Sequence, residues 1–403
     1  MAGRFRVKVC DLTQFYSPVS GGVKRYVAEK RQHIRERTER DEHVLIIPGE
    51  RDEVITGERS RTYIIGSPLI SRTSRYRMLL RLEAVESVLE RERPDLIESG
   101  DPYQIAWKAV HSGASLGIPI VGFYHSHFPE AYLRTAQKFL GRTLTEFAID
   151  FSKRYIRSLY NRFERTIVPS PALGKLLGDW GVANVALTDL GVDTRIFTPV
   201  AKDSERVRED YGIPKDRVLL LYVGRLAQEK NTQTLFEAFR LLPTGRFHLF
   251  VVGDGLQRAE VEKLRADLTP RGGPSEASPI TWLNYCGESE QLAQLYRAAD
   301  LFVHPGVQET FGLVTLEAQA CGTPVIGIRG SYMDRIIHSD QTLWAQENSA
   351  RALAAAIDET SRQDLKKSGA AASGQVTALY SWEQVFTRLF ALYGEVIQNY
   401  RRP

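Results

Sequence analysis

The chain has few cysteines, and they lie far apart. Cys10, Cys286 and Cys321 are the three among 403 residues, and their spacing fits neither a zinc site nor a disulfide framework. We therefore expect a reducing compartment and buried, unreactive thiols. The chain also lacks an apolar run of about eighteen residues, the length of a membrane span, and its N-terminus lacks the pattern of a signal peptide. Both absences predict a cytoplasmic protein.

Three sequence patterns with known chemistry are also missing. An Asp-x-Asp pair, which often holds a divalent metal against a nucleotide diphosphate, occurs nowhere, so no metal site is predicted. The glycines after the first predicted strand do not form G-x-G-x-x-G, which argues against a nicotinamide cofactor. A net charge of +4 is too small to indicate nucleic acid by itself, and no run of Arg and Lys with interleaved aromatic residues has the pattern of a groove that binds a nucleic acid strand.

The composition and length predict a two-domain α/β protein. A chain of 403 residues is too long for one ordinary core, and 43% hydrophobic with 25% charged residues is typical of globular proteins. Short apolar runs alternate with helical patterns in both halves, which indicates parallel sheets covered by helices. We place the domain boundary near Gly191–Pro199. This predicts an N-terminal domain over residues 1–195, a second over 196–380 and a closing helical segment over 381–403.

The predicted strands are those runs that are rich in β-branched and aromatic residues, namely Phe5–Cys10, Val44–Ile47, Leu96–Glu98, Ile118–Tyr124, Thr166–Val168, Val185–Leu187, Val218–Val223, Leu249–Val252, Ile280–Leu283, Leu301–Val303 and Val325–Ile328.

The segment from His304 to Gly327 is the most informative in the chain. It places two carboxylates, Glu309 and Glu317, eight positions apart around the predicted start of a short helix. Phe311 and Gly312 allow a tight turn there, and a helix N-terminus has unpaired N–H groups that bind phosphate well. An isolated pair of glutamates could equally be a solvated helix face. A strand-loop-helix-strand unit, however, lies at the carboxyl end of a sheet, where open α/β sheets bind ligands.

This arrangement favours a ligand with a central diphosphate and hydroxyl-rich groups at both ends, as in a nucleotide-sugar. The backbone of Phe311, Gly312 and Leu313 would contact the phosphate. Gly322 and Pro324 predict the end of the helix, because a glycine commonly terminates a helix and a proline often follows.

A second pattern, YVGRLAQEKN, spans residues 222–231. The predicted strand ends at Gly224, and Arg225 and Lys230 then stand on the turn and the first helical residues beyond it. Both cations can reach one site, where they would stabilise the charge of a diphosphate leaving group and take the place of a metal. Either cation alone would more often be an ordinary surface residue.

Two further loops follow predicted strands of the first half. Gly21 and Gly22 allow the backbone to approach a phosphate at the start of the next helix, although such glycine-rich turns are common. His125 or His127, in the loop GFYHSHFPEAY, could bind a sugar hydroxyl or assist proton transfer from an acceptor.

The positive charge is concentrated between Leu133 and Arg165, where eight basic residues stand against three acidic ones. Aromatic and aliphatic residues are interleaved with them, as in helices that lie on anionic membranes. We therefore expect reversible contact with an anionic membrane, at its inner face. A core helix with a solvated outer face is the alternative.

In their order along the chain, these segments resemble the retaining glycosyltransferases of family 4. The resemblance covers nearly the whole length: the glycine loop, the histidine loop, VPSPALGKLL, LGVDTRIFTP, VGRLAQEK and the E-x7-E segment. It implies the GT-B fold, in which two Rossmann-like domains face each other and the C-terminal helix crosses back to the first domain. The chain departs from the family at Asn231, where glycine is frequent. We expect this change to affect the start of the following helix more than the chemistry.

The resemblance implies a role for each candidate residue: Arg225 and Lys230 would hold the diphosphate, Glu309 the hydroxyls of the donor sugar, Glu317 the ribose, His125 the reacting sugar, and Gly22 the β-phosphate. It also implies transfer of a hexosyl unit, of mannose or glucose type, with retention at the anomeric carbon. GDP-mannose or a UDP-hexose would be the donor, with no other cofactor. A glycolipid or polysaccharide precursor of the bacterial cell envelope, lipid-linked or an oligosaccharide, would be the acceptor.

Two alternatives remain at this point. An epimerase or phosphorylase could use the same fold, but the chain has no motif for an orthophosphate or pyridoxal phosphate site. A non-catalytic sugar-nucleotide-binding module would be expected to have lost one of Arg225, Lys230 and Glu309, and all three are present.

Overall fold

The computed structural model of the chain describes residues 6–14, 16, 22–70, 75–124, 142–200, 203–269, 278–307, 311–331 and 333–401. Contacts within the chain divide it into two compact units. Unit 1 contains Met1–Leu190 together with Val385–Pro403, and unit 2 contains Gly191–Gln384. The chain therefore leaves unit 1 after Leu190 and returns to it within its last helix.

The strands are short and mostly apolar, and in chain order they are β1 Lys8–Leu12, β2 Glu42–Gly49, β3 Glu53–Gly57, β4 Ser60–Gly66, β5 Leu96–Ser99, β6 Ile120–Phe123, β7 Arg165–Val168, β8 Val185–Leu187, β9 Val218–Val223, β10 Phe247–Val252, β11 Ile280–Leu283, β12 Leu301–Val303 and β13 Val325–Ile326. The bounds of β8, β9, β11 and β12 are those predicted from the sequence. Of these four, β9 and β12 are apolar runs that are buried along most of their length, because a parallel sheet is covered on both faces.

The helices between them are α1 Gly22–Arg37, α2 Leu82–Glu92, α3 Gln104–Leu116, α4 Arg142–Tyr160, α5 Pro171–Asp179, α6 Asp203–Asp210, α7 Thr232–Leu241, α8 Arg258–Leu268, α9 Ser289–Ala298, α10 Leu313–Ala320, α11 Ala350–Thr360, α12 Leu365–Tyr380 and α13 Trp382–Tyr400. Short 3-10 turns occur at Gln228–Lys230 and Gln341–Leu343. The predicted α/β class with parallel sheets is confirmed.

The sheet of unit 1 has the strand order β3-β4-β2-β1-β5-β6-β7-β8. Its neighbouring strands run parallel, except that β3 pairs antiparallel with β4. The chain builds outward from β1 in both directions, so the order reverses between β1 and β5. In open α/β sheets, ligands bind beyond the carboxyl ends of the strands at such a reversal.

The hairpin of β3 and β4 is absent from the sequence-based prediction. Every residue of β3 is exposed, so the strand lacks the alternation that marks a half-buried strand. Arg59, in the turn, has a φ of 52°. Its guanidinium donates hydrogen bonds to the carbonyl oxygens of Arg35 and Thr38 at the end of α1. The hairpin is thus held by a contact between distant residues, which a local pattern does not indicate.

The sheet of unit 2 has the order β11-β10-β9-β12-β13, and all its neighbouring strands run parallel. The order reverses between β9 and β12, because β10 and β11 lie on one side of β9 while β12 and β13 lie on the other. This places the carboxyl ends of β9 and β12 side by side, at the position where a ligand site is expected.

Two expectations about the whole chain can be compared with the structure. Among the described residues, the model contains no helix with the length and apolar character of a membrane span. Cys10 and Cys321 are buried, and burial raises the pKa of both thiols, as predicted. Cys286, in the loop after β11, is only half-buried, so the prediction of a buried thiol is wrong at this position.

Candidate functional site

The strongest candidate residues lie in two loops of unit 2 that follow neighbouring strands. Arg225 and Lys230 follow β9, while Phe311, Gly312 and Leu313 follow β12. Since β9 and β12 are paired parallel strands, both loops begin at the same edge of the sheet. The prediction that these loops lie at the carboxyl ends of buried strands is confirmed.

The loop after β9 is held by backbone hydrogen bonds to the loop after β10. The N–H of Gly224 donates to the carbonyl of Val252 at 3.0 Å, and that of Leu226 donates to the carbonyl of Asp254, also at 3.0 Å. These bonds continue the pairing of β9 with β10 past the end of both strands. Arg225, between the two bonded residues, therefore stands on a fixed backbone.

Two glycines make this close packing of the loops possible. A Cβ at Gly253 would lie 1.9 Å from the carbonyl oxygen of Gly224, and one at Gly255 would lie 2.3 Å from that of Leu226. Neither distance is tolerable, so any larger residue would push the Arg225 loop away from β10. These two positions were not among the predicted site residues, although the segment GDG directly after the buried strand β10 is a signal for them.

Arg225 presents its side chain to solvent, with 71% of it exposed. Its Nη2 lies 3.3 Å from Glu229 Oε1, and its carbonyl oxygen accepts a hydrogen bond from the hydroxyl of Tyr222 at 2.9 Å. An exposed ion pair of this kind is weak because water screens it. The guanidinium can therefore exchange Glu229 for an anionic ligand at little cost.

Lys230 closes the 3-10 turn Gln228–Lys230, and its N–H donates to the carbonyl of Ala227 at 3.0 Å. The prediction placed Lys230 on the first residues of a helix. Lys230 does lie in a short helical turn, but this 3-10 turn is separate from α7, because Asn231 adopts a left-handed conformation with a φ of 56° and α7 begins only at Thr232. The left-handed residue ends the turn and sets the direction in which α7 leaves the sheet.

Gly312 has a φ of 77° and begins α10, as the predicted tight turn requires. Its carbonyl oxygen accepts hydrogen bonds from the N–H of Thr315 at 2.9 Å and from the hydroxyl of Thr315 at 2.7 Å. Phe311 is buried and fixes the approach to the helix. Within the described part of the chain, no side chain caps this N-terminus, so the N–H groups of Leu313 and Val314, which precede the bonded N–H of Thr315, can bind a phosphate.

Glu317 lies inside α10 and is only 3% exposed. One of its carboxylate oxygens, Oε2, accepts a hydrogen bond from the hydroxyl of Tyr296 at 3.0 Å. This bond orients the carboxylate, while its contact with a ribose stays a prediction. The predicted end of α10 is confirmed: Gly322 has a φ of 83°, its N–H donates to Gln319, and that of Thr323 donates to the carbonyl of Ala318.

Several predicted residues have no described position. Gly21, His125, His127 and Glu309 lie outside the described residues, so their roles remain predictions. Gly22 is the first residue of α1, and a Cβ there would meet no atom within 4 Å. The packing of the described residues therefore does not require a glycine at this position, and close approach to a phosphate stays the predicted reason for it.

Unit 1 contains a buried ionic cluster that the sequence analysis missed. Lys30 of α1 is fully buried, and its Nζ donates to Asp11 Oδ1 at 2.7 Å, Glu98 Oε1 at 2.9 Å and the hydroxyl of Tyr393 at 3.1 Å. Asp11 and Glu98 lie opposite each other on β1 and β5. The signal was a lysine at position 30 on the face of α1 that also buries Tyr26 and its apolar neighbours.

Burial and the neighbouring charges shift the pKa values of the two carboxyl groups in this ionic cluster in opposite directions. Burial alone would raise the pKa of Asp11, but Lys30 and His43, through their charges and their hydrogen bonds to this carboxylate, together outweigh burial and lower that pKa to about 2. Burial raises the pKa of Glu98. The cluster thus joins the two strands on either side of the reversal in unit 1 and ties them to α1 and α13.

A search for three or more clustered His, Cys, Asp or Glu side chains finds no candidate metal site among the described residues. The cations of Arg225 and Lys230 are the positive charges that the described part of the site offers to a diphosphate.

Comparison with protein families gives two matches that together span most of the chain. The family model described as Glycosyltransferase Family 4 matches residues 20–196, and the model described as Glycosyl transferases group 1 matches residues 203–372. The first match lies almost wholly in unit 1 and the second lies in unit 2.

Curated relatives are similar over different shares of the chain. The GDP-mannose-dependent alpha-(1-6)-phosphatidylinositol dimannoside mannosyltransferase of Mycobacterium tuberculosis is 28% identical over 98% of this chain and 98% of its own length. The GDP-mannose-dependent alpha-mannosyltransferase of Corynebacterium glutamicum is 27% identical over 97% of this chain and 89% of its own length. Sulfoquinovosyl transferase SQD2 of Arabidopsis thaliana is 31% identical, but over 63% of this chain and 46% of that protein.

Solved structures share the fold. Sucrose-phosphate synthase from Thermosynechococcus elongatus superposes with a TM-score of 0.74 at 22% identity, covering 98% of this chain and 100% of that one. A glycosyltransferase from Rickettsia africae gives a TM-score of 0.74 at 18% identity, covering 98% and 99%. The two family matches identify the chain as a member of the group 1 and family 4 glycosyltransferases, and the superpositions show that it has the GT-B fold.

Proposed function

We propose that the protein is a retaining hexosyltransferase that moves a mannose- or glucose-type unit from a nucleotide-sugar to a glycolipid or polysaccharide-precursor acceptor. The observation that carries this proposal is the convergence of Arg225, Lys230 and the N-terminus of α10 beyond two adjacent strand ends. Two cations and a helix N-terminus at one sheet edge are the chemistry that a diphosphate requires.

The role of these groups is to stabilise the diphosphate as it leaves. Negative charge builds on the leaving oxygen when the bond to the anomeric carbon breaks, and donors already held in place lower the energy of that state. Arg225 and Lys230 would act on this charge, and the N–H groups of Leu313 and Val314 would bind the phosphate. In a retaining reaction, the leaving oxygen would then help to deprotonate the acceptor hydroxyl on the same face of the sugar.

The names of the relatives favour a particular donor and acceptor. The two actinobacterial relatives that span nearly this whole chain are named for GDP-mannose, and one of them is named for a phosphatidylinositol acceptor. We therefore favour GDP-mannose over a UDP-hexose as the donor, and a lipid-linked acceptor over a free oligosaccharide. Such an acceptor places the enzyme at the inner face of the cell membrane, in envelope biosynthesis.

Incubation of the purified protein with a panel of GDP- and UDP-hexoses and a membrane lipid extract tests this proposal. We expect release of free nucleoside diphosphate and a labelled lipid product, with one donor preferred by at least about tenfold, since pocket contacts discriminate to that extent. An α-linkage from an α-linked donor, established by NMR, would show retention. Interconversion of the sugar nucleotides without release, dependence on orthophosphate, or binding without turnover would instead indicate the epimerase, the phosphorylase or the binding module.

We also propose that the reaction needs no divalent metal, because the chain lacks Asp-x-Asp and two cations already follow β9. Turnover of the preferred donor should persist in excess chelator at close to its original rate. The measurement is the rate of nucleoside diphosphate release with and without chelator. Loss of activity in chelator that magnesium or manganese restores would show that a metal shares the task of Arg225 and Lys230.

Contact with the membrane has a candidate surface on α4. Leu144, Phe147 and Phe151 are spaced at i, i+3 and i+7, so they lie on one face of the helix, and they are 53%, 69% and 64% exposed. We call these three residues the outer apolar strip. A different face of the helix packs Ile156 and Leu159 into the core of unit 1. A second apolar face in solvent is unusual and marks an interaction site.

Basic residues on the same helix favour an anionic lipid surface as the partner of the outer apolar strip. Lys153, Arg154 and Arg157 follow Phe151 on the same helix, and the side chain of Arg154 is 80% exposed although it pairs with Asp150 at 2.9 Å. Each basic residue near an anionic bilayer contributes about 1 kcal/mol of attraction, which salt weakens. Once the rings of Phe147 and Phe151 are buried in the bilayer, they would add an attraction that salt does not remove.

Cosedimentation with phosphatidylglycerol-containing vesicles tests this surface. Replacing both Phe147 and Phe151 with serine should lower the bound fraction at any salt concentration, and charge reversal at Lys153, Arg154 and Arg157 should abolish binding at low salt. Val54→Ser, at an exposed apolar residue of the edge strand β3, is the control and should bind normally. If the wild-type protein does not bind anionic vesicles at low salt, that result would favour a water-soluble acceptor.

A further inference from the structure

Asn231 is one of four non-glycine residues with a positive φ among those the structure describes. Its φ of 56° and ψ of 30° lie in the left-handed region, which glycine adopts freely and asparagine tolerates better than most residues. For the left-handed backbone conformation alone, glycine would be at least as favourable. The reason for an asparagine has to lie in its side chain.

The side chain of Asn231 uses three of its hydrogen-bonding positions. Its Nδ2 donates to the carbonyl oxygen of Pro305 at 2.8 Å and to Asn348 Oδ1 at 2.8 Å, while its Oδ1 accepts from the hydroxyl of Thr234 at 2.8 Å. An amide group has two N–H donors, and both are engaged. A glycine at position 231 would remove all three bonds and leave the backbone conformation unchanged.

These bonds connect three segments at the carboxyl edge of the sheet. Asn231 directly follows Lys230, and Pro305 lies in the loop after β12. Asn348 precedes Ser349, whose hydroxyl caps α11 by accepting from the N–H of Ala352. One side chain therefore sets the separation between the turn that carries Lys230 and the loop after β12, which leads towards Glu309 and α10.

We propose that Asn231 is a positioning residue, which holds Lys230 against the loop after β12 so that both loops meet one diphosphate. The proposal rests on the proposed function, and it assigns Asn231 to the chemistry rather than to the start of α7 alone. A displacement of about 1 Å between groups that act together can lower a rate by about 10²-fold. The effect should appear in catalysis and in diphosphate binding.

Asn231→Gly is the decisive variant because it keeps the left-handed backbone and removes only the side-chain bonds. We expect kcat/KM for the preferred sugar nucleotide to fall by about 10- to 100-fold, and the affinity for GDP or UDP, measured by calorimetry, to fall with it. Asn348→Ala, which removes one partner and leaves the bond to Pro305, should have a smaller effect. Asn231→Asp, which loses both donors, should match the glycine variant.

A double-mutant cycle separates positioning from stability. If Asn231 acts through Lys230, then Asn231→Gly should change turnover little in a Lys230→Ala background, whereas independent effects would add. Additive losses would overturn the proposal, as would a variant that unfolds at lower temperature but keeps its kcat/KM. A wild type that neither binds GDP or UDP nor turns over any donor would overturn the proposed function as well, so the two failures can be told apart.

Discussion

Replacing Arg225 or Lys230 with alanine is expected to lower turnover by about 10²- to 10³-fold, the range for losing one donor held in place against developing charge. Arg225 is largely exposed and its ion pair with Glu229 is weak, so its removal should leave the fold intact. The measurement is the steady-state rate of nucleoside diphosphate release, with thermal unfolding recorded for each variant.

Arg206→Ala is the matched control for this experiment. Arg206 also lies in unit 2, is 76% exposed and pairs with Asp210 four residues later, as Arg225 does with Glu229. Its removal should change neither rate nor stability. Near-normal turnover in both Arg225→Ala and Lys230→Ala would show that the diphosphate binds elsewhere.

Lys30→Met should destabilise unit 1 by about 3–5 kcal/mol, the cost of removing one partner from a buried ion pair. Methionine fills much of the volume of lysine, but it leaves Asp11 and Glu98 facing each other without a cation. Hydrogen exchange of the amides in β1 and β5 measures the change locally, since the two units need not unfold together. We expect those amides to exchange faster while the strands of unit 2 are unaffected.

Two controls and the pH dependence make this prediction specific. Lys175→Met, at an exposed lysine of α5 paired with Asp179, should change exchange little, and Tyr393→Phe should have an intermediate effect because it removes only a hydroxyl.

The folded pKa of Asp11, about 2, lies below the unfolded value. The contribution of Asp11 to the free energy of unfolding is therefore complete above the unfolded pKa and is lost as the pH falls towards 2. A difference that persisted at pH 2 would contradict this account.

The positions of most strands, though not of β3 and β4, and of the candidate loops could be predicted from the sequence because they depend on neighbouring residues. Val218–Val223 and Leu301–Val303 are continuous apolar runs, and a parallel sheet buried on both faces requires such runs. The left-handed Gly322 at the end of α10 follows from the same local reasoning, since glycine adopts that conformation at little cost. Arg225 and Lys230 could be selected because a site follows the carboxyl ends of strands.

The three-dimensional structure alone decided how those loops are held. The close approach of Gly253 to Gly224, the bonds of Asn231 to Pro305 and Asn348, and the ionic cluster around Lys30 each join residues far apart in the chain. Periodicity reports which face of an element is buried, but not which distant residue meets it there. From the sequence alone, Lys30 would be expected to be solvated. Only the pairing of β1 with β5 places Asp11 and Glu98 next to it. The residue types in short segments of the sequence indicate the chemistry of the site. Its geometry comes from backbone and side-chain contacts that exist only after the sheets have formed.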